Sequence, residues 1–225
     1  DGGHYYAMEG GHSSLKTITV MESSTKYVVD DNKVLFRVLD DGSKELVLAV
    51  NGIKDYTVPD GVVSIEPCAF EGTDIGTVTV ASTVKSIGNY AFKDSELRSI
   101  DLSACSGVTF NSESFMDTPI TSIEIPQGSL VNKNVFKNCR ALTTVVMDGE
   151  FIGTNAFSGC TNLRSYTVGE HFTDPLQVAS NNRPVGVFDL TVECREIPLL
   201  MFYGTAVQKV TFGDGVEIIG VEAFR

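Results

Sequence analysis

The 225-residue sequence has no tryptophan, three histidines and no C-x-x-C pair among its five cysteines. Without tryptophan it lacks one of the residues that most often anchor protein interfaces, and stacking on sugars is disfavoured with it. Without C-x-x-C it lacks the usual zinc and dithiol spacings. Basic residues are scarce: 17 Lys and Arg stand against 29 Asp and Glu, for a net charge of −12. Nucleic acid and anionic membrane surfaces are bound through clustered positive charge, so neither is expected as a partner. No apolar run approaches the ~20 residues that cross a bilayer, so no membrane insertion is expected. Asp1 opens no basic segment followed by an apolar one, which places any secretion signal or anchor outside this sequence.

Catalytic signatures are missing as well. There is no nucleophile elbow, P-loop, H-E-x-x-H or strand-borne G-x-G-x-x-G, and His4, His12 and His171 stand in no hydrolase motif. His4 and His12 share a glycine-rich stretch that reads as a terminal loop, with a metal pair as the weaker alternative. Asp30/Asp31 and Asp40/Asp41 lie in turn-like contexts, where Asp is favoured for local hydrogen bonding. No catalytic residue, metal ligand or cofactor site is read from the residues.

What is present is a repeat. The phrase apolar-x-x-apolar-x-apolar begins at Ile53, Ile75, Leu97, Ile120, Leu142, Leu163, Val185 and Val207, in steps of 22, 22, 23, 22, 21, 22 and 22 residues. A ninth copy, Leu15/Ile18/Val20, precedes Ile53 by 38 residues, one period plus 16. The extra residues include Val34 to Val50, two apolar runs around Asp-Asp-Gly-Ser, the pattern of a β-hairpin. Because it falls inside the array by sequence, this hairpin is not expected to act as a terminal cap. A second signal recurs between the phrases, an apolar residue five before an aromatic: Ile65/Phe70, Ile87/Phe92, Phe110/Phe115, Val131/Phe136, Ile152/Phe157, Ile197/Phe202 and Ile219/Phe224.

A unit this small cannot bury its own apolar side, but stacking puts like residues over like and makes one core. The expected fold is therefore a solenoid of about nine coils of roughly 22 residues, with short parallel β-strands ~4.8 Å apart and a helical turn or short helix carrying each phenylalanine. Cys139 and Cys160, 21 residues apart at equivalent places, are expected to be stacked neighbours, either as packed thiols or as a disulfide.

The elements I-x-x-x-A-F (Ile87 to Phe92), G-C-x-x-L (Gly159 to Leu163) and L-x-x-I-x-L (Leu97 to Leu102) recur together from Leu15 to Phe224. This combination resembles the BspA-like class of the leucine-rich repeat solenoid. The resemblance implies a bacterial cell-surface or secreted protein of the adhesin type, which binds host matrix and plasma proteins; with no catalytic site read from the residues, a noncatalytic binding module for host or neighbouring-cell proteins is expected. The sequence departs from that class at 169–184, an irregular repeat without an A-F pair, where Leu176 and Val178 are candidates to fill the core.

One domain spanning residues 1–225 is expected, with 1–14 as a partial preceding repeat. The final V-E-A-F-R stops directly after an A-F pair, so the chain is expected to be a segment of a longer array or to pair at its ends. The polar residues flanking each middle apolar position fall in two rows on an open sheet face, where Asp101, Glu124 and Asp189 are the acidic points. The irregular repeat adds His171, Phe172, Asn181, Asn182 and Arg183 as a second candidate binding surface. A solvated Thr- and Ser-rich face with no ligand is the simpler alternative for the rows. For the whole chain the alternatives to a binding module are a structural spacer and, less favoured, the recognition subunit of an enzyme.

Overall fold

The computed structural model describes residues 14–31, 33–173, 187–199, 201–202 and 204–225. Each coil contributes two short strands to two parallel ladders. The first ladder carries the middle of each apolar phrase. It consists of a three-stranded sheet, Asp55–Thr57, Thr77–Thr79 and Ser99–Asp101, and a five-stranded sheet, Ser122–Ile125, Thr144–Met147, Ser165–Val168, Val187–Val192 and Ala206–Phe212. The second ladder runs through Val62–Ile65, Ser86–Ile87, Thr109–Phe110, Leu130–Val131 and Phe151–Ile152. After the irregular repeat it resumes as Glu196–Ile197 with Ile218–Ile219. The stack holds about seven turns of about 22 residues, fewer than the nine phrases. Leu15 to Val20 forms no strand and is partly exposed, and the irregular repeat shows no second strand among the described residues.

No helix occurs among the described residues, and the hydrogen bonds of the turns give the reason. An α-helix needs successive N–H groups to bond four residues back. Here they alternate: Ala91 and Lys93 donate back to Gly88 (3.3 Å) and Tyr90 (3.0 Å), while Tyr90, Phe92 and Asp94 donate to Ser112, Ser114 and Met116 of the next coil. The path requires left-handed backbone at two positions per turn, such as Tyr90 and Asp94 (φ 59° and 56°) or Asn134 and Asn138 (φ 59° and 62°). Asn, Asp and Gly tolerate that conformation, and they fill most of these places.

Inside the turns the phenylalanines stack at the coil spacing. Phe70, Phe92, Phe115, Phe136 and Phe157 follow one another at 4.9 to 5.2 Å with interplanar angles of 5° to 17°. At the irregular repeat the missing ring is replaced from the strand side: Tyr166 meets Phe157 edge-on at 5.7 Å and Phe202 edge-on at 5.9 Å. Leu176 and Val178 lie outside the described residues. Three residues after each ring sits a small hydrogen-bonding side chain. Thr73, Ser95 and Thr118 donate to the carbonyls of Phe70, Phe92 and Phe115. Cys139 and Cys160 fill the same column and donate to Phe115 and Phe136, each at 3.1 Å. Both are free thiols, and burial raises the pKa of each, that of Cys139 to about 12.

The hairpin is present as Val34–Val38 antiparallel to Lys44–Ala49, bridged by the Arg37–Glu45 ion pair. Its place corrects the sequence reading. Lys44–Ala49 pairs in parallel with Val62–Ile65, Val34–Val38 lies outside it, and Tyr27–Asp30 lies outside that in turn. The hairpin therefore closes the described stack at its N-terminal end, burying Val34, Phe36 and Leu46 in the common core.

Candidate functional site

The first ladder is interrupted between Ser99–Asp101 and Ser122–Ile125, which belong to separate sheets. The break coincides with the one 23-residue step in the repeat, Leu97 to Ile120. A groove of about 680 Å³ opens there and runs along the corners that follow the strands, as far as Glu193. Five acids line it, Asp101, Glu124, Asp148, Glu170 and Glu193, together with His171 and no lysine or arginine.

Strand geometry presents Asp101 and Glu124: each alternates with buried neighbours, Ile100 and Leu102 or Ile123 and Ile125. Asp101 is held ready by Ser103, whose N–H donates to Oδ1 at 2.9 Å. Bonds from the Ser103 hydroxyl and N–H lower its pKa below the ordinary carboxylate value. Asp148 follows the strand Thr144–Met147 and ties the start of the irregular repeat. Its Oδ1 accepts the His171 N–H at 2.9 Å, and its Oδ2 lies 2.8 Å from His171 Nδ1. That hydrogen bond, with the charge of Asp148, raises the His171 pKa above its usual value. Among the described residues no three His, Cys, Asp or Glu side chains converge as a metal site. Chemically the groove is a cation-attracting trough with apolar contacts from Ile125 and Val146.

The candidates named from sequence divide. Asp101, Glu124 and His171 meet in the groove. Asp189 does not: it pairs with Ser165 and Lys209, one polar row away from Asp101 and Glu124. The phrase here is framed by Leu190 and Val192, which pair with Tyr166 and Val168, two residues later than the apolar pattern implied. Phe172 is a correction as well: its N–H bonds Gly169 at 3.2 Å in a turn that sends the ring inward, leaving it 3% exposed in the core. Asn181, Asn182 and Arg183 lie outside the described residues, as do His4 and His12. Asp148, Glu170 and Glu193 escaped the sequence reading because they sit at corners, beyond the reach of strand alternation. The 23-residue step was the signal that could have located the groove.

The model of the BspA type leucine-rich repeat region matches residues 49–164 and 108–225, with six copies. The chain belongs to the BspA-type leucine-rich repeat family. Among solved structures, a leucine-rich repeat protein of Treponema pallidum (TpLRR) aligns with TM-score 0.58 at 20% identity, over 88% of this chain and 89% of that one. A leucine-rich cell surface protein of Faecalibacterium prausnitzii A2-165 aligns with TM-score 0.48 at 20% identity, over 84% of this chain and 40% of that one. The pneumococcal vaccine antigen PcpA aligns with TM-score 0.48 at 16% identity, over 88% and 67%. At such identities likeness speaks for the fold alone. No curated protein matches the sequence. BspA-type membership makes the chain a protein-interaction repeat module.

Proposed function

We propose that this BspA-type module works at the cell surface or outside the cell as a noncatalytic, adhesin-like binder of host or neighbouring-cell proteins, and that its binding face is the acidic groove. The observation that carries the reading is the gathering of Asp101, Glu124, Asp148, Glu170 and Glu193 around one concavity free of lysine and arginine. Such a surface draws positively charged segments by complementarity and speeds their encounter. It favours a basic stretch of a protein over an anionic glycan or nucleic acid. The mechanism is reversible contact on a rigid frame, with no bond made or broken.

The test is binding of the purified chain to an array of matrix proteins, plasma proteins and glycans at two salt concentrations. The expected result is a saturable protein partner whose affinity falls with salt and is lost when Asp101, Glu124 and Glu193 are changed together to Asn or Gln. A partner indifferent to those changes would move the binding face elsewhere. A blank array with a folded chain would favour the second reading, a spacer that presents another domain, which the continuous core from Val34 to Ala223 also supports.

A further inference from the structure

The break in the first ladder turns main-chain groups as well as carboxylates toward the groove. In the coils before it, each strand is followed by one more rung: Val58 N–H donates to the Thr79 carbonyl and Val80 N–H to the Asp101 carbonyl, each at 2.9 Å. The next rung in register would run from Leu102 N–H to the Glu124 carbonyl, and it is not made. Leu102 N–H has no acceptor among the described residues, although the residue is 4% exposed, and buried backbone N–H groups without a partner are rare. The starts of the two strands are tied by Thr121 N–H to the Arg98 carbonyl at 3.2 Å, so the gap opens toward Asp101 and Glu124. The Asp101 carbonyl faces back to Val80, and alternation along the strand turns the Ile100 carbonyl into the gap.

The dimensions of the groove select the form of its occupant. Its five acids stand one per coil, over four coil spacings of about 5 Å, so 680 Å³ spread along about 20 Å leaves a trough about 6 to 7 Å across. An α-helix with its side chains is about 10 to 12 Å across and does not enter. An extended chain, which packs ~4.8 Å from its neighbours, does, and at ~3.3 Å per residue the trough holds about six residues.

Resting on the acidic groove as the binding face, we propose that its ligand is an extended, lysine- or arginine-rich segment of a partner protein, bonded through its main chain at the break in the ladder. A carbonyl of the segment accepts from Leu102 N–H, one of its N–H groups donates to the Glu124 carbonyl, and its cationic side chains reach Asp148, Glu170 and Glu193 in the coils that follow. Main-chain bonding at an open sheet edge gives affinity while the side chains give specificity. A lining of acids without lysine or arginine sets the sign of those side chains. A basic helix or a folded basic surface meets the acids at the rim without reaching Leu102.

The experiment measures binding of three end-blocked peptides of equal charge to the purified chain: six residues alternating lysine and threonine, the same peptide N-methylated at its threonines, and a stapled alanine-rich helix bearing three lysines. The first should bind about tenfold or more tighter than the other two, the scale of two main-chain hydrogen bonds. At saturation it should slow iodoacetamide alkylation of Cys105, a free thiol on the groove wall, and leave Cys68, outside the groove, reacting as before. Equal affinity for all three peptides, lost when Asp101, Glu124 and Glu193 are changed together to Asn or Gln, would overturn the extended-chain proposal and leave the acidic groove standing as the binding face. Affinity indifferent to those three changes would overturn both. Absence of binding by the extended peptide, whether or not the helix binds, would overturn the proposal as well.

Discussion

The two ends of the described stack are built from the same kinds of residue and behave oppositely. At the N-terminal end an antiparallel hairpin extends the sheet outward, and Val34 and Leu46 are fully buried. At the C-terminal end the parallel pattern simply stops, leaving Ile219 54% and Val221 72% exposed. In a solenoid the repeat buries residues only in pairs of neighbours. What closes an end is a change of pattern, and here the change is the reversal of strand direction after Tyr27–Asp30 and again after Val34–Val38.

The sharpest test of this comparison uses one residue type in two coils. Phe92, with a ring stacked on each side, is fully buried; Phe224, stacked on Phe202 alone and set edge-on to Phe212 at 6.4 Å, is 38% exposed. Phe92→Ala should lower unfolding stability by about 3 to 5 kcal/mol, the range for removing a buried ring, whereas Phe224→Ala should cost about 1 kcal/mol or less. Denaturant melts of the two variants decide it, and similar losses would contradict the account of the open end. The next effect concerns the closed end. Leu46→Ala should cost about 2 to 5 kcal/mol, against a change within about 0.5 kcal/mol for Val221→Ala.

Much of this was written in the period. The stacking, the inward phenylalanine row and the hairpin followed from spacing alone, because a register repeated along the chain leaves few alternative foldings. The turns were harder. Segments such as Asn89 to Asp94 have helix-compatible composition, and only the Asn, Asp and Gly at left-handed positions mark them as something else. At Phe188, Leu190 and Val192 three alternating apolar residues allow two frames that differ by two positions. Such a shift leaves every side chain on the same face, so burial could not choose between them; pairing with Tyr166 and Val168 did. Phe172 was misplaced because a broken motif was equated with a surface, although a large ring still seeks the core.

Close packing between coils gives a smaller effect. A Cβ built on Gly153 would lie 2.6 Å from the Asn132 backbone, while one on Gly215 would have its nearest neighbour, the Glu193 carbonyl oxygen, at 3.6 Å. Gly153→Ala must push two coils apart and should cost about 1 to 3 kcal/mol, as overpacking does. Gly215→Ala, near the open end, should change the melting point little. Should both variants melt alike, the tight coil-to-coil approach described for the interior would be wrong.

The smallest effect is local and depends on pH. His171 is exposed and binds Asp148 through both its N–H and its ring, which joins the start of the irregular repeat to the coil before it. The pairing raises the His171 pKa above the ordinary value, through the hydrogen bond to Asp148 first and its charge second. A raised folded-state pKa means that the folded chain holds the proton more tightly than the unfolded chain. The contribution is therefore complete below the unfolded value, about 6.5, and is lost as pH rises through the folded one. An NMR titration should place the His171 midpoint above that of an unstructured histidine, and Asp148→Asn should bring it down. Amide exchange at His171, whose N–H is held by the same carboxylate, should quicken in that variant, while exchange at Phe92, deep in the regular stack, stays unchanged. If His171 titrates at the same pH with and without the Asp148 carboxylate, the ion pair does not hold in solution, and the start of the irregular repeat is fastened by the burial of Phe172 and by backbone bonds such as Gly169 N–H to Met147 at 2.7 Å rather than by the imidazole.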